Sequence, residues 1–143
     1  MVKYIGESDY EHGSKDKTGI LLTNLGTPDA PTAKAVKPYL LEFLSDTRVI
    51  EIPKLLWQII LRGIILQIRP SRSAKIYKSV WTKDGSPLLS ISKKQIHLVK
   101  ERLSETYPNT VFSLAMRYGN PSIESALMAV SYTHLTLPTI YSV

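Results

Sequence analysis

Cysteine is absent from the 143 residues. That excludes disulfide staples, thiolate zinc sites, iron–sulfur ligation and cysteine nucleophiles within this span. Histidine is scarce at three, and His12, His97 and His134 stand far apart in the sequence. His97 flanks an apolar helical stripe, with Glu101 four residues on as an ordinary helix neighbour. A metal ligand needs partners converging on it, so His97 reads as a boundary residue and no metal site is expected here. No apolar leader opens the chain, and the greasiest stretch, Leu55 to Ile68, is too short to span a bilayer and carries Arg62 near its middle. The GxGxxG, GxxxxGK[ST] and HExxH spacings are missing, as are paired carboxylates and any nucleophile–base arrangement. Acidic residues are the minority, 12 against 18 Lys+Arg, for a net charge of +6. That balance favours anionic partners without choosing among them. The cations are scattered over helical faces without aromatic interleaving, so nucleic acid is not an expected partner.

What is present suits a folded chain. Hydrophobic residues make up 43% and charged residues 21%, and a chain this long can bury about two-thirds of its unfolded surface. Residues 1–18 are polar and read as a flexible leader. Gly19–Gly26 is a nearly continuous apolar run ended by Gly-Thr-Pro-Asp, the signature of a strand buried on both faces. Ala33 to Asp46 carries Val36, Leu40, Phe43 and Leu44 on one helical face; Pro38 makes that helix start late or kink. Pro53 opens a second helix, Leu55 to about Gln67, and Ser71 to Trp81 forms a third with Ile76, Tyr77, Val80 and Trp81 on one side. After the Asp84-Gly-Ser-Pro87 turn, Ile96, Val99 and Leu103 stripe a fourth helix that ends before Pro108. Thr110 to Tyr118 reads as a second buried strand, and Ser122 caps a helix beginning at Ile123.

Two apolar strands joined by a long helical crossover predict a parallel pair in an α/β sheet. Two strands alone make an incomplete sheet, so exposed apolar faces and poor solubility are expected. From Val130 the chain loses all charge, and Val130-Ser-Tyr-Thr-His-Leu-Thr-Leu-Pro-Thr139 looks like a translated sequencing adapter. Residues 130–143 are therefore expected to be a non-native tail.

Side chains at the carboxyl ends of parallel strands converge on one rim, where α/β proteins bind ligands. Leu25 ends the first strand, Arg69 follows the greasy helix, Ser86 sits in the Gly-Ser-Pro turn, and Arg117-Tyr118 end the second strand. Such a rim suits a large, flat, apolar ligand with carboxylates for Arg69 and Arg117 to clamp. Solvation of the rim by arginine, with Tyr77 and Trp81 as core residues, is the structural alternative. Phosphate is a weaker fit at Gly26-Thr-Pro-Asp29, because Pro28 removes a backbone donor.

Four ordered blocks carry a resemblance. Gly19-Ile-Leu-Leu-Thr-Asn-Leu-Gly-Thr-Pro-Asp29 and Tyr39-Leu-Leu-Glu-Phe-Leu-Ser-Asp46 resemble the opening of a bacterial ferrochelatase. Ala74-Lys-Ile-Tyr-Lys-Ser-Val-Trp81 with Asp84-Gly-Ser-Pro-Leu88, then Met116-Arg-Tyr-Gly-Asn-Pro-Ser122 with Glu124-Ser-Ala126, resemble its next blocks. The resemblance covers Gly19 to Leu127 and is nearest the protoporphyrin-using enzymes of Gram-negative bacteria. It implies an α/β chain, the incomplete N-terminal part (19–129) of a Rossmann-like parallel-sheet domain of the chelatase fold. It also implies a metal-inserting lyase of haem biosynthesis, whose partners are protoporphyrin IX and ferrous iron. Iron is then a substrate, and no cofactor is expected in this span. By the resemblance Asn24 and Leu25 lie over the porphyrin face, Arg69, Tyr77 and Ser86 surround the macrocycle and its propionates, and Arg117-Tyr118 form a basic–aromatic pair deeper in the cleft. Leu55–Leu66 resembles the lip of that cleft, which implies a cytoplasmic protein in peripheral contact with the inner membrane.

Ferrochelatases take the pyrrole protons with a histidine in a Ser-x-His-Gly-type strand end and a distant glutamate. Ser131-Tyr-Thr-His134 comes too early and lacks the glycine, so no catalytic residue is assigned and the 143-residue polypeptide is expected to be inactive. The competing reading from another class is a non-catalytic basic module that docks on acidic membrane through Leu55–Leu66. Within the enzyme class, the coproporphyrin-using branch is disfavoured by Leu25, where an axial tyrosine is expected.

Overall fold

The computed structural model of the chain describes residues 18–131, the side chains of 130 and 131 excepted. The leader, apart from Thr18, and the tail, apart from the backbone of residues 130 and 131, lie outside the described residues, together with His12 and His134. The elements are β1 (Thr18–Thr27), α1 (Ala33–Ser45), α2 (Lys54–Ile60), a π-helical turn (Leu61–Ile65), α3 (Leu66–Val80), α4 (Pro87–Ser104), β2 (Thr110–Gly119) and α5 (Ile123–Ser131).

The two strands pair in parallel, from Thr18 opposite Thr110 to Thr27 opposite Gly119. This is the arrangement that the long crossover predicts. It makes the partial α/β domain, with a two-stranded open sheet among the described residues. The strands are not buried on both faces as their apolar runs suggest. Ile20 to Leu22 and Val111 to Leu114 are half-buried, and Leu25 is 50% exposed. Continuous apolar strands bury fully only between two covering layers and between neighbours.

At its carboxyl end β1 approaches β2 closely. Gly26 has φ +114, and a Cβ there would lie 1.8 Å from the Tyr118 carbonyl oxygen. Gly119 has φ +80, and its Cβ would lie 2.8 Å from the Thr27 carbonyl oxygen. No side chain larger than hydrogen fits this crossing.

The helices then build one core beside the strand ends. Thr32 caps α1 by accepting from the Ala35 N–H at 3.3 Å. The helix starts at Ala33 and carries Pro38 within its length, so the late start is ruled out. Its Val36, Tyr39, Leu40 and Leu44 bury against Leu61, Leu66, Ala74 and Tyr118. The second and third predicted helices are one unbroken helical run from Lys54 to Val80, joined by the π-helical turn. Its inward residues are Leu61, Leu66, Pro70, Ala74 and Tyr77. The step of five from Leu61 to Leu66 is the extra residue of a π-helical turn. A strict 3.6-residue period cannot supply that step; the predicted break falls later, between Gln67 and Ser71, where Pro70 lies inside α3 without ending it. The sequence pattern also puts Ile76 and Val80 on the wrong face: both are exposed, while Tyr77 packs on the core. Outside, Leu55, Ile59, Ile64 and Ile68 repeat the same four-five-four spacing as an exposed apolar ridge, with Leu55 80% exposed. In α4 the predicted Ile96, Val99 and Leu103 are the half-buried stripe, and Ser122 caps α5 by accepting from the Ser125 N–H at 3.1 Å.

Gly26→Ala is expected to destabilise the chain by about 3 kcal/mol or more, because strain at positive φ adds to a backbone clash that no rotamer relieves. Chemical denaturation of the two proteins side by side measures it, and a loss below 1 kcal/mol would contradict the close approach.

Candidate functional site

The register fixes the first neighbours. Asn24 pairs with Met116 and Gly26 with Tyr118, and Leu25 and Arg117 are the residues between those two pairs on β1 and β2. In-register residues of parallel strands project to the same face, about 4.8 Å apart. Leu25 is 50% exposed and the Arg117 side chain 42% exposed. The Asn24 side chain turns toward α4: its Nδ2 donates to the Ser92 hydroxyl at 3.0 Å, and its Oδ1 accepts from the Leu25 N–H at 2.8 Å. Both bonds fix the backbone that presents Leu25. Ser86 is buried at the start of α4, where its hydroxyl accepts from the Thr27 hydroxyl at 2.8 Å. It ties α4 to the end of β1.

Arg117 and Tyr118 meet on one acceptor. Arg117 Nη2 donates to Asp46 Oδ2 at 2.9 Å, and the Tyr118 hydroxyl donates to the same oxygen at 3.0 Å. The other oxygen, Oδ1, accepts from the Arg48 N–H at 2.9 Å. The Arg117 guanidinium also lies 5.6 Å from the centre of the Tyr118 ring. The Arg48 amide, with the Arg117 and Tyr118 donors, holds the Asp46 carboxyl down at about 2, and the Asp46 hydrogen bond raises Arg117 in turn.

Tyr118 is buried and belongs to an aromatic row. Its ring meets Phe43 edge-on at 5.1 Å, Phe43 stacks with Tyr39 at 6.2 Å, Tyr39 meets Tyr77 edge-on at 6.3 Å, and Tyr77 meets Trp81 at 6.4 Å. Burial, with Tyr77 beside it, pushes the Tyr39 phenol well above its usual range, so it stays protonated and donates to the Gly26 carbonyl at 3.3 Å. Of the predicted residues, Arg117 and Tyr118 therefore meet at the end of β2, Leu25 lies at the end of the neighbouring strand, and Asn24 and Ser86 brace that strand through Ser92 and Thr27. Tyr77 joins through the aromatic row. Arg69 is exposed on α3, and its side chain makes no hydrogen bond or ion pair among the described residues.

Sequence reasoning missed Asp46, the acceptor that organises this end. A carboxylate at a helix C-terminus opposes the macrodipole, and that was the available signal that it serves another partner. Trp57 and Gln58 were also missed. The Trp57 indole N–H donates to the Leu44 carbonyl at 2.6 Å and the Gln58 amide to the Ser45 hydroxyl at 3.3 Å, so α2 pins the end of α1. A groove of about 200 Å³ opens nearby, lined by Asp29, Tyr39, Glu42, Gly119 and Asn120 among others. It is smaller than an ordinary ligand pocket and is lined by none of the predicted residues. His97 lies on the surface with its Nε2 3.3 Å from Glu101. Among the described residues no three His, Asp or Glu side chains gather at metal-binding distance.

A carboxyl held low in the folded state adds stability above its unfolded value near 3.8, and that stability disappears as pH falls toward 2. Removing the carboxylate in Asp46→Asn is therefore expected to flatten the acid limb between about pH 4 and 2 in urea midpoints measured across that range. An unchanged acid limb would show that Asp46 is not bound as described.

Comparison with known proteins covers the same ground. A family model described as Ferrochelatase matches residues 17–138. The chain is 60% identical over 128 residues to a ferrochelatase of Thioalkalivibrio sulfidiphilus, covering 89% of this chain and 35% of that protein. It is 57% identical over 128 residues to one of Chromobacterium violaceum, with the same coverage. To one of Idiomarina loihiensis it is 54% identical over 127 residues, covering 88% and 35%. The chain thus spans about a third of the length of these curated relatives. The family-model match, running over most of the chain, with these identities, shows that the chain belongs to the ferrochelatase family.

Proposed function

We propose that this chain supplies the porphyrin-holding N-terminal part of a ferrochelatase, the enzyme that inserts ferrous iron into protoporphyrin IX to form protohaem. The observation that carries the reading is the position of exposed Leu25 and exposed Arg117 at the carboxyl ends of parallel β1 and β2, between the Asn24–Met116 and Gly26–Tyr118 pairs. A tetrapyrrole offers a flat apolar ring and ionised propionates. The leucine covers ring surface, and the guanidinium takes a propionate through a charge-assisted bond that contributes about 1.5–3 kcal/mol. Arg69, free on the exposed side of α3, is suited to a second propionate, while Asn24, Tyr77, Ser86 and Tyr118 hold the walls in place.

Metallation replaces two pyrrole protons with one ferrous ion, and the protons must pass to a base within hydrogen-bond reach. Arg117 is a permanent cation and the Tyr39 phenol stays protonated, so neither is such a base. Asp46 is engaged at both oxygens. We therefore propose that the 143-residue polypeptide binds the porphyrin and does not metallate it. Titration of the chain with protoporphyrin IX is expected to shift porphyrin fluorescence, and incubation with ferrous iron or zinc is expected to give no metalloporphyrin absorbance. Turnover above the protein-free rate would sink the inactivity, and absent binding would sink the porphyrin reading.

The exposed ridge Leu55, Ile59, Ile64 and Ile68, with Lys54, Arg62, Arg69 and Arg72 along the same run, supports peripheral contact with an anionic membrane from the cytoplasmic side. The described helices include none long and apolar enough to cross a membrane. The same ridge favours the second reading, a docking module without porphyrin affinity. Leu55→Glu with Ile59→Glu is expected to abolish co-sedimentation with anionic vesicles and to leave porphyrin binding intact. Salt-sensitive vesicle binding by a parent chain that ignores porphyrin would favour the docking module instead.

A further inference from the structure

Arg117 is not a free guanidinium on a strand end. It is held from two sides, by the Asp46 carboxylate at 2.9 Å and by the Tyr118 ring at 5.6 Å. Asp46 is itself held at its carbonyl and at both carboxylate oxygens. Its carbonyl accepts from the Val49 and Ile50 N–H groups at 3.0 and 3.2 Å, closing the turn after α1. Its Oδ1 is bound by the Arg48 amide, and its Oδ2 by Arg117 and Tyr118. The two residues before it are fastened from α2, Leu44 through the Trp57 indole and Ser45 through the Gln58 amide. An acceptor so firmly fixed orients whatever it binds. A guanidinium carries five N–H donors in a rigid planar fork. Holding one end of the fork sets the plane of the rest, and an oriented fork loses less freedom when it takes a second carboxylate.

We propose that Asp46 is a positioning residue: it fixes the Arg117 guanidinium at the carboxyl end of β2 so that the remaining donors are set to receive a carboxylate of the ligand. This rests on the porphyrin reading above and adds to it the residue that makes the clamp selective for an ionised side arm. Asp46 touches no ligand in this account and acts only through Arg117. Its own negative charge also offsets that of Arg117, so the clamp discriminates by geometry rather than by bulk charge.

The test compares protoporphyrin IX with its dimethyl ester, which has the same ring and no ionised carboxylates. In the parent 143-residue chain the free acid is expected to bind more tightly than the ester in fluorescence titrations. Asp46→Asn is expected to reduce that acid-over-ester preference about tenfold while leaving ester binding unchanged. Asp46→Glu, which keeps the acceptor, is expected to restore part of it, and Arg117→Ala combined with Asp46→Asn is expected to lose no more preference than Arg117→Ala alone. A purely structural role for Asp46 would weaken acid and ester equally and would overturn the proposal. A second measurement needs no porphyrin. In nitrogen-15 spectra of the arginine side chains, the parent is expected to show one guanidinium with slowed rotation, lost in Arg117→Ala and in Asp46→Asn. Absence of that signal from the parent overturns the proposal whatever the titrations give. A parent that shows the signal and binds neither porphyrin overturns the porphyrin reading, and the assignment of a ligand to the clamp falls with it. An unaltered preference in Asp46→Asn, in a parent that does bind, overturns the positioning role alone.

Discussion

The close crossing of β1 and β2 at Gly26 is the constraint on which the rest depends. Because residue 26 has no Cβ, the Tyr118 carbonyl can occupy the space beside it. The crossing sets the register of the last strand residues, and the register places Leu25 and Arg117 at the two strand ends and turns Tyr118 into the core under α1. Tyr39 secures the same point from the helix side through the Gly26 carbonyl. A backbone position, a core contact and the placement of two exposed strand-end residues are thus consequences of one missing side chain.

Much of the architecture was legible from pattern alone, since each strand and helix carries its own local signal. The apolar runs at Gly19–Gly26 and Thr110–Tyr118 gave the strands, and the helical segment between them gave their parallel sense. The alternation of burial within the strands was not legible, because it depends on layers and neighbours that two strands do not provide. The π-helical turn was not legible either. A five-residue step between Leu61 and Leu66 is invisible to any reading that assumes a constant period.

Of the strand-end chemistry, the sequence exposed the donors and concealed the acceptor. Arg117-Tyr118 stands out as a basic–aromatic pair at the end of an apolar strand. Asp46 lies 71 positions from Arg117, and no spacing rule joins residues across such an interval; only the docking of α1 against β2 does. The braces follow the same rule. Asn24 reaches Ser92 and Thr27 reaches Ser86 across 68 and 59 positions, and each is a small polar residue with nothing unusual about it locally.

The tie between Trp57 and the Leu44 carbonyl has an optical consequence. The chain has two tryptophans, and they sit at opposite ends of the architecture: Trp57 where α2 seats against the close of α1, Trp81 at the outer end of the aromatic row. An indole whose N–H is engaged by a carbonyl emits differently from one released to water. The two emitters therefore form a built-in pair of local gauges, one sensing whether the corner around Asp46 is latched and the other whether Tyr77 is seated.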